Sequence, residues 1–458
     1  MTEEWKRLGP TSEMLALSGI GFTKNVLICL IDIRGALNVE VLLRSAIKAG
    51  RKYPHLNSLI TETRENGLYY LEWEPREPDE LLAFFQDLSK TGSHAAPIDE
   101  TLSALGSRLD RDWDLFVEPP AEFHCIKLSE DRFLIGWVIH HAAGDAALGS
   151  DVGRLTLQIY HETTHGCTTD WDQEYLSFSG AQKRPVRRNK PRLPDIVKDF
   201  RKAAGNLFRK PTLPAGSGDK YDSRQHHSKR VFSEHESDEL LKRLRTRGMS
   251  LVDALVATCS YSIDSWNTEQ NVRPGYLSAS VSVNMRGRFS EIDKGNSSSL
   301  IFFDSTPEER NDPTNYTRSI AIKRIHHFRK QVDLTLTNNI GMMVNAARIF
   351  PYHLRRKIVA FITNQHEFSI AVTLLGVIWP KIEKGRFTSD SALSEIGDLR
   401  VEEVIGIPYK MLSKTRNLIM VYIFRKRLNF VLSSSASLFS KDENGRFLDL
   451  ILEKMRQL

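Results

Sequence analysis

Cysteine is scarce in this sequence, and long hydrophobic runs are absent from it. Four cysteines occur among 458 residues, far apart and without a C-x-x-C pair. This spacing argues against both a disulfide framework and a zinc ribbon, and it favours a reducing compartment, so we expect a cytoplasmic protein. The longest apolar runs, such as 133–139 and 418–424, fall far short of the ~20 residues that a membrane-spanning helix needs. No transmembrane helix is therefore predicted.

The layout of a signal peptide is also missing. Acidic Glu3 and Glu4 precede basic Lys6 and Arg7, and no apolar core follows at once. Neither sign of charge dominates, since the net charge is +6, and 41% hydrophobic with 26% charged residues is typical of a globular protein. A single hydrophobic core stops growing at roughly 250 to 300 residues, so this length predicts two or three domains or one two-lobed enzyme.

Strand and helix patterns are interspersed along the chain, which favours α/β or α+β layers. The apolar, β-branched run 25–33 predicts a buried strand, and 38–50 predicts an amphipathic helix capped by Asn38. Helices are also predicted at 146–160, 234–246, 251–263, 316–332 and 448–455, and Ser250 is expected to cap the third of these. Further strands are predicted at 58–63, 68–73, 123–128, 133–139, 228–232, 276–284, 297–303, 368–376, 418–424 and 428–433. Residues 75–112 give no clear pattern.

The most informative stretch is 133–146, where an apolar strand ends in His140 and His141, with Asp145 four residues further on. Histidine has an unperturbed pKa near ~6.5 and is the side chain best suited to act as a base at neutral pH. Two other interpretations are open from these residues alone. The histidines could be core residues with satisfied hydrogen bonds, or they could bind a metal together with Asp145. Adjacent residues of a strand point to opposite faces, which disfavours joint coordination.

The run His140-His141-Ala142-Ala143-Gly144-Asp145-Ala146 resembles the HHxxxDG signature of the CoA-dependent acyltransferase superfamily. This superfamily contains chloramphenicol acetyltransferases, condensation domains of peptide synthetases, wax ester synthases, alcohol acetyltransferases and the plant BAHD enzymes. Similar elements follow the family's order along the chain, at 35–56, 113–116, 283–288, 295–296 and 373–376. Ala146 replaces the usual glycine, Leu374 replaces an asparagine, and the BAHD "DFGWG" motif is absent, so the subfamily stays open.

The resemblance implies an α/β fold, a two-lobed sandwich like that of chloramphenicol acetyltransferase, with the active-site tunnel between the lobes. We expect an N-terminal lobe at 1–180, a basic, proline-rich crossover linker at 181–220 and a C-terminal lobe at 221–458. The implied activity is transfer of an acyl group from a CoA or carrier-protein thioester to a hydroxyl or amino group. Two alternatives are a condensation-like enzyme that uses a carrier-bound donor, and a non-catalytic docking protein of the same fold.

The resemblance also assigns roles to residues. His141 is the general base, and Asp145 forms an ion pair with Arg286 that holds the loop, while His140 and Gly144 support the site structurally. Substrate or donor contacts are expected from three further residues, namely Asn284, Gly376 and Thr373. No metal ligand and no permanently bound cofactor are expected, because acyl-CoA or a phosphopantetheinyl thioester serves as co-substrate. The other expected partner is a small-molecule acceptor, and we expect a monomer.

The segment 183–210 is rich in lysine and arginine, and proline punctuates it. Within it, 196–210 has the pattern of a basic amphipathic helix. It is either an ordinary solvated crossover or a surface that attracts the phosphates of CoA, an acidic carrier protein or an anionic membrane. Nucleic acid is not expected as a partner, because few aromatic residues interleave with the charges and no binding module is recognisable.

Overall fold

The computed structural model describes most of the chain. The described residues are 6–19, 24–76, 82–89, 105, 109, 111–166, 210–219, 221–222, 224–284, 298–330, 344–365, 367–383, 386–391, 395–409 and 416–458. The basic segment 183–209 and Arg286 lie outside these ranges, so the predictions made for them stay predictions.

The elements follow one another as a mixture of strands and helices. The strands are Val26–Arg34 (β1), Ser58–Glu65 (β2), Leu68–Pro75 (β3), Leu82–Asp87 (β4), Ala121–Lys127 (β5), Arg132–His140 (β6), Gln225–Val231 (β7), Leu277–Asn284 (β8), Ser298–Ser305 (β9), Ile370–Val377 (β10), Pro380–Glu383 (β11), Arg386–Ser391 (β12), Glu395–Ile396 (β13), Leu399–Tyr409 (β14), Asn417–Phe424 (β15) and Arg427–Ser435 (β16). The helices are Pro10–Ser18 (α1), Val39–Arg51 (α2), Ala146–His165 (α3), Glu234–Thr246 (α4), Leu251–Glu269 (α5), Pro307–Arg310 (α6), Pro313–Lys330 (α7), Tyr352–Gln365 (α8) and Lys441–Gln457 (α9).

Two sheets of six strands organise the described residues. The first sheet has the order β13-β14-β1-β6-β5-β4, and all its neighbours are antiparallel except β4 and β5. The second sheet has the order β7-β16-β15-β10-β8-β9, with β10 running parallel to both β15 and β8. Helices α2 and α3 pack on the first sheet, and α5 and α9 pack on the second. This is the α/β layering that the sequence predicts.

One strand joins the first sheet from far along the chain. Strand β14 follows most strands of the second sheet in sequence, yet it pairs with every residue of β1. Its Tyr409 faces Val26, and its Val404 accepts a hydrogen bond from the Tyr422 hydroxyl of β15, with an O···O distance of 2.7 Å. The predicted lobe boundaries stay a prediction, and β14 is the element that crosses them.

Buried ion pairs also join distant parts of the chain. Arg355 of α8 and Glu13 of α1 are both fully buried, and their side chains meet at 2.7 Å. Arg348 donates a second hydrogen bond to the same carboxylate, at 2.6 Å. Since removal of one partner from such a buried pair costs about 3 to 5 kcal/mol, this cluster fixes α8 on the amino-terminal elements.

The predicted helix caps are confirmed where the sequence signals were strongest. The Asn38 side chain accepts a hydrogen bond from the backbone N–H of Val41. Ser250 begins α5 with a capping box that includes Asp253. The part of the predicted linker that is described, 210–219, contacts α5, where Trp266 donates a hydrogen bond to the Ala215 carbonyl. Among the described residues, no helix is long and apolar enough to cross a membrane.

Candidate active site

Strand β6 carries the histidine pair into the centre of the first sheet. It lies between β1 and β5, and the register places His140 opposite Val26. The ladder continues one residue beyond the strand, because the His141 N–H donates to the Asn25 carbonyl with an N···O distance of 2.6 Å. Successive residues of an extended chain point to opposite faces, so the two histidine side chains leave the sheet on opposite sides.

His141 is held with one ring nitrogen engaged. Its Nδ1 lies 2.7 Å from the Gly144 carbonyl oxygen. A carbonyl can only accept, so Nδ1 carries the proton and Nε2 keeps its lone pair in the neutral ring. Burial lowers the pKa of His141, while the Gly144 carbonyl and the nearby Asp145 charge partly oppose that effect. The ring is therefore neutral at pH 7, and its Nε2 carries the lone pair that can act as a base.

His140 has the opposite tautomer. The Ala142 backbone N–H donates to its Nδ1 at 3.2 Å, so Nδ1 is the acceptor and the proton of the neutral ring sits on Nε2. The ring lies edge-on to Trp113, with 6.2 Å between the ring centroids. Burial and the neighbouring His141 lower the pKa of His140 to about 3. These contacts fit the structural role that the resemblance implies for this residue.

Asp145 caps the helix that follows the motif. It is buried, and its Oδ1 accepts a hydrogen bond from the Leu148 N–H at 3.1 Å, at the first turn of α3. Its predicted partner, Arg286, lies outside the described residues, so the ion pair stays a prediction. Gly144 acts through its carbonyl, which accepts the His141 proton.

Asn25 is a supporting residue that the sequence patterns did not single out. It is fully buried, has φ of +50°, and offers its carbonyl to the His141 N–H. Its side-chain amide donates to the Leu15 carbonyl and to Ser18 Oγ at the end of α1. Asparagine tolerates the left-handed region better than most residues, and this tolerance, just before a buried strand, is the signal that could have found it.

The second sheet supplies the other predicted contact residues. Thr373 of β10 lies beside Ser282 of β8, with 3.1 Å between the two hydroxyl oxygens. Gly376 has φ of +77°, at the point where the register between β10 and β15 shifts. This bulge leaves Leu375 unpaired in the ladder. Asn284 ends β8, and its side chain lies outside what the structure describes. The substrate contacts expected from Asn284, Thr373 and Gly376 stay predictions.

A small apolar pocket lies between the two sheets, next to the loop that holds His141. It is bounded by β1, β6 and β14 of the first sheet, by the first turns of α3, and by β10 and β15 of the second sheet. Its lining residues are Leu27, Ile28, Cys29, Trp137, Ile139, Ala146, Gly149, Ser150, Leu375, Ile378, Val404, Gly406, Met420, Tyr422 and Ile407. Two lining residues flank the motif: Ile139 lies two residues before His141, and Ala146 lies one residue after Asp145. The pocket therefore adjoins the histidine loop on both sides.

The two buried cysteines of the first sheet are not activated. Burial raises the pKa of Cys29, which lines the pocket, to about 12, and it raises the pKa of Cys125 to about 12 as well. A thiol with such a pKa is almost entirely protonated at pH 7 and is a poor nucleophile. Within the described ranges, no group of three or more histidine, cysteine, aspartate and glutamate side chains is arranged to hold a metal ion.

Comparisons with known proteins identify the fold. No protein-family model matches the sequence. No curated protein matches it either. Solved structures match over nearly the whole chain. The trichothecene 15-O-acetyltransferase of Fusarium sporotrichioides has a TM-score of 0.67 at 10% identity, covering 98% of this chain and 94% of that one.

Two condensation domains of peptide synthetases match in the same way. The first condensation domain of the calcium-dependent antibiotic synthetase, in complex with a substrate analogue, has a TM-score of 0.65 at 13% identity, with coverage of 99% and 96%. A variant of the starter condensation domain of rhizomide synthetase, in complex with C8-CoA and Leu-SNAC, has a TM-score of 0.61 at 11% identity, with coverage of 99% and 94%. The prediction of the two-lobed fold of CoA-dependent acyltransferases and condensation domains is confirmed.

Proposed function

We propose that the protein is an acyltransferase that moves an acyl group from a CoA or carrier-protein thioester to a hydroxyl or amino acceptor. The single observation that carries the proposal is the state of His141. A buried, neutral imidazole, with Nδ1 bound to the Gly144 carbonyl and Nε2 left basic, is what deprotonation of an alcohol or amine requires.

The reaction that fits this geometry needs one base. His141 Nε2 takes the proton from the acceptor as its oxygen or nitrogen attacks the thioester carbonyl. The carbon–sulfur bond then breaks, and the imidazolium returns the proton to the departing thiolate. Asp145 favours the transient imidazolium electrostatically, and the Gly144 carbonyl keeps the ring aimed throughout the cycle.

Direct transfer is favoured over an acyl-enzyme intermediate. A covalent route needs an activated nucleophile beside the base. The thiol that lines the adjoining pocket, Cys29, has its pKa raised to about 12, so it is a poor candidate for that role. The acceptor itself is then the nucleophile in our proposal.

The structural neighbours support the classes of donor and acceptor. One neighbour is an O-acetyltransferase, and another was solved with C8-CoA and Leu-SNAC bound. For this chain we propose the same general classes, an acyl thioester as donor and a small molecule as acceptor. The choice between CoA and a carrier protein, and between ester and amide product, is left to experiment.

The test is thiol release from a panel of acyl-CoAs, with and without alcohol and amine acceptors. We expect acceptor-dependent release by the wild type and its loss in His141→Asn. Asparagine can still donate to the Gly144 carbonyl from the position of Nδ1, but it has no counterpart of basic Nε2. A His141→Asn variant with wild-type turnover would refute the proposal. Absence of turnover with every CoA donor and with carrier-bound donors, by a folded wild-type protein, would favour the non-catalytic docking alternative.

A further inference from the structure

The last turns of α3 carry a pair of histidines that the proposed acyl transfer does not use. The run His161-Glu162-Thr163-Thr164-His165 has the spacing H-E-x-x-H, and it lies entirely within the helix. Residues four apart in a helix share one face. The two rings lie together on that face, with 4.4 Å between their centroids and 36° between their planes. Two imidazoles at this spacing are the pair that a helix offers to a zinc ion.

The nitrogen atoms of the two rings converge on one point beside a glycine. A Cβ added to Gly397, in the turn between β13 and β14, would lie 2.7 Å from His165 Nε2 and 3.0 Å from His161 Nδ1. Gly397 also has φ of +57°, a conformation that favours glycine. The turn therefore passes the histidine pair at a residue without a side chain, where even a methyl group would press against the ring of His165.

The protonation of both rings suits metal binding. His165 Nδ1 lies 3.2 Å from the His161 carbonyl oxygen and 2.8 Å from Thr164 Oγ1. A carbonyl can only accept, so Nδ1 carries the proton and Nε2 keeps its lone pair, as in histidines that a second partner holds for a metal. Burial and the neighbouring His165 lower the pKa of His161, so that ring is neutral at pH 7. The C-terminal end of a helix also favours a cation.

A zinc hydrolase is not what this pair completes. Such enzymes hold the metal with three protein side chains and use the glutamate of the motif as general base. Within the described part of the chain, no third histidine, cysteine, aspartate or glutamate joins the two rings in a metal-binding group. Glu162 accepts a hydrogen bond from Gln158 at 3.2 Å, one turn back along α3. The pair is suited to binding a metal ion and not to hydrolysis.

We propose that His161 and His165 bind one divalent transition-metal ion at the C-terminal end of α3, with water molecules as its remaining ligands. Neutral imidazole suits Zn²⁺, Ni²⁺ and Cu²⁺, whereas Mg²⁺ prefers oxygen ligands. The ion joins two successive turns of the helix and so stabilises the end of α3. The site lies roughly 25 Å along this 20-residue helix from the His141 loop, and it does not depend on the proposed acyl transfer.

Metal binding is measured by calorimetry on protein that has been treated with a chelator and dialysed. We expect the wild type to bind one equivalent of Zn²⁺ and no Mg²⁺. His161→Gln and His165→Gln should each lower the Zn²⁺ affinity by at least about ten-fold, since loss of an outer-shell partner alone costs that much. His235→Gln is the matched control, because His235 is an exposed histidine of α4 that stands four residues from Glu239 and not from a second histidine. It should leave the affinity unchanged.

The position of the site is tested at Gly397. Gly397→Ala places a methyl group against the ring of His165 and should weaken Zn²⁺ binding. Gly248→Ala is its control, because Gly248 has φ of +67° and an added Cβ there meets nothing within 4 Å. The control carries similar backbone strain without touching a histidine, so it should lose stability and keep its Zn²⁺ affinity. Equal affinities of the two alanine variants would overturn the placement beside Gly397, and should Gly397→Ala fail to fold, the histidine variants decide.

Thermal unfolding gives a second readout that needs no turnover. Zn²⁺ should raise the Tm of the wild type and of His235→Gln, and it should leave the Tm of the double variant His161→Gln/His165→Gln unchanged, because a ligand stabilises only the state that binds it. A double variant that binds Zn²⁺ with the affinity and stoichiometry of the wild type would overturn the proposal, since other side chains then hold the ion. A wild type that binds Mg²⁺ as well as Zn²⁺, or that binds neither, would overturn it too.

Discussion

The two faces of the first sheet treat neighbouring histidines differently at the end of β6. On one face, His140 packs against Trp113, accepts from a backbone N–H, and has a pKa of about 3. On the other face, His141 donates to the Gly144 carbonyl beside α3 and the pocket. The same side chain becomes a packed acceptor on one face and a base on the other, because the backbone partners, and not the residue type, set the tautomer.

The largest expected effect is the loss of activity when the basic nitrogen of His141 is removed. His141→Asn should lower kcat/KM by about 10²- to 10⁴-fold, the usual contribution of a general base, with little change in the free energy of unfolding. His140→Asn places an acceptor where Nδ1 stood and should keep kcat/KM within a few-fold of the wild type. The two variants are compared by steady-state kinetics and urea denaturation. Equal losses of activity in both would contradict the division of roles between the faces.

The next largest effect is expected at Asp145, which caps α3 directly after the His141 loop. We expect Asp145→Ala to lose about 3 to 5 kcal/mol of stability, and soluble protein with it, if the proposed pair with Arg286 forms. Asp145→Asn retains an oxygen for the Leu148 N–H and should be about 1 kcal/mol more stable than the alanine variant, the usual worth of an N-cap. Denaturant midpoints of the three proteins measure both quantities. A stable, fully active Asp145→Ala protein would exclude the bracing role.

Much of the secondary structure could be predicted from sequence because its signals are local. The apolar run of β6, the helix after Asp145 and the caps at Asn38 and Ser250 each depend on neighbouring residues, and the structure confirms them. The tautomer of His141 could not be predicted, since it depends on a backbone carbonyl. The pocket could not be predicted either, because strands from three distant parts of the chain enclose it.

Strand β14 illustrates the other kind of failure. Glu402, Glu403 and Pro408 interrupt its apolar pattern, so no strand was predicted there. In the structure the buried residues Val401, Ile405 and Ile407 carry the pairing with β1. Glu403 forms an ion pair with Lys229 of β7, a residue of the other sheet. The partner of Glu403 is distant in sequence, so the pattern around this charge resembles that of an exposed loop and does not predict a strand.

Acid should lower the free energy of unfolding through both histidines. Both histidines have a folded pKa below the unfolded value near 6.5, so between the two values the unfolded chain binds more protons than the folded one. Stability is then fully present above pH 6.5 and falls as the pH decreases, for His140 by up to about 1.4 kcal/mol per pH unit, and His141 adds a loss in the same direction. For His140 the loss continues towards a pH of about 3.

The measurement is urea denaturation over a series of pH values below 6.5. His140→Asn removes one titrating ring and should reduce the slope of stability against pH by about 1.4 kcal/mol per unit. A slope identical to that of the wild type would mean that His140 is already protonated in the folded protein. The acid limb of kcat/KM should likewise lie below 6.5, since the lowered pKa keeps His141 neutral there.

The smallest expected effect concerns Asn25, which anchors the ladder from which both histidines diverge. Asn25→Gly keeps the backbone free to adopt φ of +50° but removes the amide's bonds to Leu15 and Ser18, which should cost about 1 kcal/mol. Asn25→Ala loses the same bonds and also strains a residue with a Cβ, so it should be less stable than the glycine variant by about 1 kcal/mol. Urea midpoints rank the three proteins. Because the Asn25 carbonyl fixes the His141 N–H, turnover should fall modestly in both variants and follow the same order, whereas an alanine variant as stable as the glycine one would mean that the left-handed backbone of Asn25 contributes nothing to the placement of the base.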